Sequence, residues 1–178
     1  VAQALDSLSI AMSEIGAISE RRIHFFMKGA DSKIPMFGAV NGGLESGFML
    51  AHVTAASLAS ENKTLAHPSS VDSLSTSAGQ EDIVSMAPWA GRSCLRILDN
   101  VRMILAIELL VAGNINHRFH HKLSSSNGLQ PLMKLLKKSK VLSKIDRVFS
   151  KDIEIISELI KTDQVYSVVN KVNKISRV

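Results

Sequence analysis

The residues best placed to do chemistry lie in the run Ser77-Ala78-Gly79-Gln80-Glu81-Asp82-Ile83-Val84-Ser85-Met86, where a polar loop meets an apolar, periodic segment. Adjacent carboxylates at a helix start complement the helix dipole, so Glu81 and Asp82 can simply be caps. The same place suits a functional use, in which Glu81 or Gln80 projects into a cleft above the helix start. Local physics leaves both open. His117, His120 and His121, spaced i, i+3 and i+4, can share a helical face as metal ligands do. The nearest carboxylates on either side are Glu108 and Asp146 and no thiol is near, so a solvated basic segment is expected instead. His67, Ser69, Ser70 and Asp72 are the residue types of a hydrolase triad, but triad members converge from distant positions rather than crowding into one short stretch. Cys94 sits between Arg92 and Arg96, yet its place in a periodic helix marks it as a small core residue. No Gly-rich phosphate loop occurs.

These groups must be positioned by helices. Ala4, Leu8, Ala11, Ile15 and Ile18 recur at three and four residues, which predicts a helix with one apolar stripe from the start to about Met27, stopping in Gly29 to Pro35. A loop follows at Asn41-Gly42-Gly43. Leu44 to Lys63 is apolar or small on nearly every face, with Gly47, Ala51, Ala55 and Ala59 forming an edge where another backbone can come close. A helix of that kind must be surrounded, by other subunits as well as by its own fold. His67-Pro68 ends it, and the Ser-rich stretch from Ser69 to Gly79 reads as loop. The next helix is predicted from near Gln80 to about Gly113, kinked at Pro88, with Ile97, Val101, Ile104, Leu105 and Leu109 inward. Asn114 to Leu129 reads as loop, Leu132, Leu135 and Leu136 mark a short basic helix, and Asp152 to Ile160 and Gln164 to about Val172 predict two more. No strand alternation appears, so the class is all-α.

Composition narrows the possibilities. With 178 residues, 46% hydrophobic and 21% charged, the chain is neither disordered nor fibrous. Its one cysteine, Cys94, excludes a disulfide scaffold and favours the cytoplasm. The most apolar stretch, Gly47 to Ala59, is 13 residues, short of the roughly 20 a membrane span needs. Net charge is −4 over residues 1–90 and +9 over residues 91–178. From Leu109 to Ile145 there is no acidic residue, while Arg118, Lys122, Lys134, Lys137, Lys138, Lys140 and Lys144 are positive. Only Phe119 is available there for base stacking, so a solvated basic face is expected over residues 118–144, with neither a nucleic acid nor a membrane as partner. Val1 enters what reads as mid-helix with no capping residue ahead, which suggests a truncated start.

Several stretches in order carry a resemblance: Glu45-Ser46-Gly47-Phe48-Met49-Leu50-Ala51-His52-Val53-Thr54-Ala55-Ala56, Ser60-Glu61-Asn62-Lys63, His67-Pro68, Ser70-Val71-Asp72-Ser73 and Gln80-Glu81-Asp82 with Val84-Ser85-Met86. Together with Glu14-Ile15-Gly16, Ser19-Glu20-Arg21-Arg22-Ile23, Asp146-Arg147-Val148-Phe149 and Asp152-Ile153-Glu154, they resemble the aromatic amino acid ammonia-lyase family. The likeness spans nearly the whole chain and is weakest from Asn114 to Lys144. Glu81, where the phenylalanine branch has Gln, is similar to the histidine branch.

The resemblance implies a long-helix bundle of the fumarase/aspartase-like ammonia-lyase type, assembled as a homotetramer with each active site built from three subunits. It implies non-oxidative elimination of ammonia from L-histidine to give urocanate, at a methylidene-imidazolone made from an Ala-Ser-Gly tripeptide. Glu81 would carry the active-site carboxylate, contacting substrate or helping proton transfer, and Gln80 would line the same pocket. The chain contains no Ala-Ser-Gly and no counterpart of the family's loop Tyr, Tyr166 lying in the wrong segment. Gly79 replaces the usual Asn and Ile83 the usual His. The expectation is therefore a C-terminal portion of a family member: residues 1–113 as a helical-bundle segment with an active-site loop at 64–82, 114–145 as a basic loop and short helix, and 146–178 as short C-terminal helices. Such a portion holds neither cofactor nor metal of its own, is inactive alone, and takes an amino-acid substrate only with the missing segment or sister subunits; the alternatives are a helical scaffold that has lost the chemistry and a lyase for another aromatic amino acid.

Overall fold

The computed structural model describes residues 1–29, 33–120 and 122–173. It contains α1 (Ala2–Met27), α2 (Met49–Leu65), α3 (Ala87–Phe119), α4 (Gln130–Lys138), α5 (Ser150–Lys161) and α6 (Gln164–Asn173), with single turns at Met36–Gly38, Ser69–Val71 and Ser77–Gly79. Among the described residues the only β pairing is two isolated bridges, Gly42 with Glu45 and Thr76 with Glu81, so the all-α expectation holds.

The 33-residue α3 is the axis, with α1, α2 and α5 packed around it. Its inward residues Ile97, Val101, Ile104, Ile107, Leu110, Val111 and Ile115 are all at most 2% exposed. Both of its ends differ from the sequence reading. It starts at Ala87, and Pro88 occupies the first turn, where a missing N–H breaks no helical bond, so Pro88 starts the helix instead of kinking it. It runs through Gly113 to Phe119. Gly113 is no stop signal here: a Cβ on it would lie 3.0 Å from Leu136 Cδ1, so the glycine admits α4 at close range. Asn114 then helps the helix continue. Its Nδ2 donates to the Leu110 and Val141 carbonyls, at 2.9 and 3.1 Å, and its Oδ1 accepts the Ser143 N–H at 2.8 Å.

α1 has the predicted span but turns its faces the other way. The stripe Leu8, Ile15 and Ile18 faces outward at 43, 45 and 56% exposure, whereas Asp6, Ser9, Ser13, Gly16, Ser19, Glu20 and Ile23 are buried. Small side chains let α1 approach α3 closely: a Cβ on Gly16 would meet Val101 Cγ2 at 3.2 Å. Of the buried polar groups, Ser19 Oγ donates to Glu108 Oε2 at 2.6 Å, and Arg22 donates to both oxygens of the same carboxylate. α2 follows the reading more closely. Gly47, Ala51, Ala55 and Ala59 are buried, and the opposite face still shows Leu50 and Val53.

α2 begins at Met49 rather than Leu44, because Gly47 turns the chain just ahead of it at φ +55°. The Ser46 and Gly47 amides donate to Asp146 Oδ2, each at 3.1 Å. A Cβ at Gly47 would stand 2.3 Å from the Phe37 carbonyl oxygen. Gly47→Ala is therefore expected to destabilise by at least about 2 kcal/mol, from backbone strain plus collision. That is a fall of roughly 4–8 °C in Tm in a thermal melt.

Arg118 departs most from expectation. It is buried at 8% exposure, not part of a solvated basic face. Its Nε donates to the Ser143 carbonyl at 2.8 Å, Nη1 to Gly38 at 3.0 Å and Nη2 to Ile145 at 2.9 Å. The guanidinium also lies 4.8 Å from the Phe48 ring centre and 5.9 Å from that of Phe149. Burial pulls its pKa down, and Asp146 and Glu45 oppose that. Lys122, Lys134, Lys137, Lys138, Lys140 and Lys144 are exposed, as expected.

Candidate functional site

Gln80, Glu81 and Asp82 stand on the exposed stretch between the Ser69–Val71 turn and α3, with every residue from Val71 to Ile83 exposed. α3 starts at Ala87, so neither carboxylate caps it, and that reading of the pair falls. The loop is nevertheless ordered from within. Thr76 N–H donates to the Glu81 carbonyl at 3.0 Å and Glu81 N–H to the Thr76 carbonyl at 3.3 Å. Between them Ser77, Ala78 and Gly79 make a left-handed turn with φ of 55°, 55° and 84°. Gly79 takes this conformation without penalty, but Ser77 and Ala78 each cost about 1–2 kcal/mol there. Such strain persists where surrounding bonds over-determine the backbone, commonly at functional sites. The Ser73 hydroxyl accepts the Val84 N–H at 2.9 Å, closing the loop below the turn. Glu81 is thus a carboxylate displayed on a braced loop rather than a group in a closed pocket. Its neighbourhood includes a shallow cavity of about 450 Å³ lined by residues that include Val1, Ser73, Ile83 and Met86.

Asp6, on α1, was not visible as a site-related residue in the sequence. It is 6% exposed, and its Oδ2 accepts the Ser70 N–H at 2.8 Å across 64 positions of chain. Burial pushes its carboxyl upward, but the Ser70 hydroxyl, the Ser70 and Ser69 amides and nearby His67 outweigh it and hold the pKa below the usual range. Ser70 is therefore engaged with Asp6, while His67 and Asp72 are exposed.

A second polar cluster joins α1 to α2. Glu20 Oε1 lies 2.9 Å from His52 Nε2, and Arg21 forks onto the same carboxylate at 2.5 and 2.6 Å. The His24 and His52 rings are 5.4 Å apart. Burial raises the Glu20 pKa, and Arg21 and His52 overcome it, so the net shift is downward. Because Glu20 and Asp6 are depressed in the folded state, their stabilisation is present above the unfolded carboxyl range near pH 4 and lost as pH falls through their folded values. Urea midpoints measured from pH 6 to pH 2.5 are expected to fall, and Glu20→Gln is expected to flatten part of that fall.

His117 is half-buried on α3 and His120 caps its C-terminus, while His121 lies outside the described residues. Cys94 is buried at 3% exposure, as a core residue should be. Among the described residues no helix is long and apolar enough to cross a membrane.

Comparison with known proteins follows the same lines. The family model described as aromatic amino acid lyase matches residues 1–138. The histidine ammonia-lyase of Rhodospirillum rubrum is 52% identical over 160 residues, which cover 90% of this chain and 31% of that protein. That of Aliivibrio fischeri is 50% identical over 162 residues, with the same coverage of 90% and 31%. Among solved structures, the histidine ammonia-lyase of Trypanosoma cruzi superposes with a TM-score of 0.89 at 41% identity, covering 96% of this chain and 33% of that one. Tyrosine aminomutase from Streptomyces globisporus gives 0.89 at 27% identity, covering 99% and 34%. The chain spans about a third of the length of the curated relatives it matches.

Proposed function

The chain belongs to the aromatic amino acid lyase family, and on that premise we propose that it is the part of a histidine ammonia-lyase-like enzyme that supplies the Glu81 carboxylate to an active site completed by other segments. What carries the reading is identity of about half to histidine ammonia-lyases over 90% of the chain. The display of Glu81 on a strained, internally bonded loop outside the chain's own core supports it.

The reaction proposed is elimination of ammonia from L-histidine to urocanate, with a homotetramer in the cytoplasm as the working form. The methylidene-imidazolone of such an enzyme acts as an electrophile toward the substrate amine, and it is made from Ala-Ser-Gly, which this chain lacks. No residue here can form that group. The chain's own share is narrower: Glu81 contacts the substrate or moves a proton, and the Gln80 amide, next to it, lines the pocket.

The purified chain is expected to release no urocanate from histidine, and to do so when co-expressed with a segment carrying Ala-Ser-Gly and the loop Tyr. Turnover by the chain alone would sink the proposal. So would a stable complex with that segment that processes no aromatic amino acid. Activity of the complex toward tyrosine or phenylalanine instead would move the substrate, with Gly79 and Ile83 as the first residues to revert.

A further inference from the structure

The loop that carries Glu81 is held at three levels, and the outermost is a buried charge from another element. Thr76 and Glu81 exchange two backbone hydrogen bonds around the left-handed turn. Ser73 Oγ accepts the Val84 N–H across the loop's neck. At the base, where Ser69 is still buried and the next residues emerge into solvent, Asp6 Oδ2 accepts the Ser70 N–H at 2.8 Å. A carboxylate at 6% exposure with no Lys or Arg among the groups acting on it is costly to bury and is retained only where its acceptor capacity is used. Here it is used by the first turn of the Glu81 loop. The loop's other end is fixed independently, because α3 begins at Ala87 and Ala90 is buried against the bundle.

We propose that Asp6 is a positioning residue for Glu81, clamping the base of its loop to α1 through Ser70, with Ser73 as the upper half of the same clamp. This rests on the catalytic reading of Glu81, but the clamp itself can be measured without it. Ser77 and Ala78 stay left-handed only while both ends of the loop are held. Releasing Ser70 lets the turn relax and swings the Glu81 carboxylate away from where the braced loop presents it.

Amide hydrogen exchange on the 178-residue chain tests the clamp directly. Asp6→Ala is expected to speed exchange at Ser70, Thr76, Glu81 and Val84 at least about tenfold, with amides of α3 between Ile97 and Val111 unchanged. Asp6→Asn keeps an acceptor and is expected to restore most of the protection. Ser73→Ala, at an exposed position that does not threaten folding, is expected to free Val84 and Glu81 while leaving Ser70 protected. Unchanged exchange across 70–84 in a folded Asp6→Ala overturns the clamp, whatever Ser73→Ala does. If Asp6→Ala fails to fold, the Ser73 variant decides, and protection of Glu81 undiminished in it overturns the proposal. In the complemented enzyme Asp6→Ala is expected to lower kcat about tenfold or more with KM within about twofold, rescued by Asp6→Asn. A loop loosened without any change in kcat would overturn the positioning role alone. An inactive complement whose exchange pattern is as expected counts instead against the lyase assignment.

Discussion

Replacing Arg118 by Ala is expected to destabilise the chain by about 3 kcal/mol or more. The variant leaves the carbonyls of Gly38 and Ser143 without the donor that now reaches each, takes one of two donors from the Ile145 carbonyl, which keeps the Ser143 hydroxyl, and removes the cation stacked beside Phe48 and Phe149. These three carbonyls belong to two separate loops, so the loss also unties the segment before α2 from the segment before α5. Arg118→Lys is expected to recover little, because one ammonium cannot reproduce three donors fixed in a plane. For a chain of this size the Ala variant should melt roughly 6–12 °C lower, with urea midpoints falling in parallel. Equal melting of Arg118→Ala and the parent chain would show that the guanidinium contributes nothing net.

Glu81→Gln is expected to have the opposite profile. The side chain is exposed in the isolated chain and bonds to the rest of the loop through its backbone, so melting should be unchanged. In an assembly completed by the cofactor-forming segment, removing a positioned acid or base should lower kcat by roughly 100- to 10,000-fold. Gln keeps the size and loses the ability to exchange a proton, which separates proton transfer from packing. A variant that keeps full kcat would leave Glu81 a surface residue.

Much of the scaffold was legible because its signals are local. Periodicity placed α4, α5 and α6, and the small-residue edge of α2 proved to be its buried side. The roles proposed for Gln80 and Glu81 rest on their run of neighbours, and the structure adds that both stand exposed on the loop ahead of α3. What escaped depends on partners far along the chain. The burial of Arg118 is set by backbone carbonyls, which leave no trace in residue types, and the bond from Asp6 to Ser70 links positions 64 apart. Gly113 and Asn114 read as a helix stop for a sound local reason. Leu136 packing onto the glycine and the Val141 and Ser143 backbone meeting the asparagine override it.

α1 carries the broader lesson for anyone altering this protein. Since its greasy stripe faces out and its small, polar stripe faces in, tolerance to substitution along it runs opposite to hydropathy. Charged replacements at Leu8, Ile15 or Ile18 should leave the chain's own folding intact and ease its handling at high concentration. Enlarging Ser13, Gly16 or Ser19, which look harmless in a list of conservative changes, would prise α1 from α3.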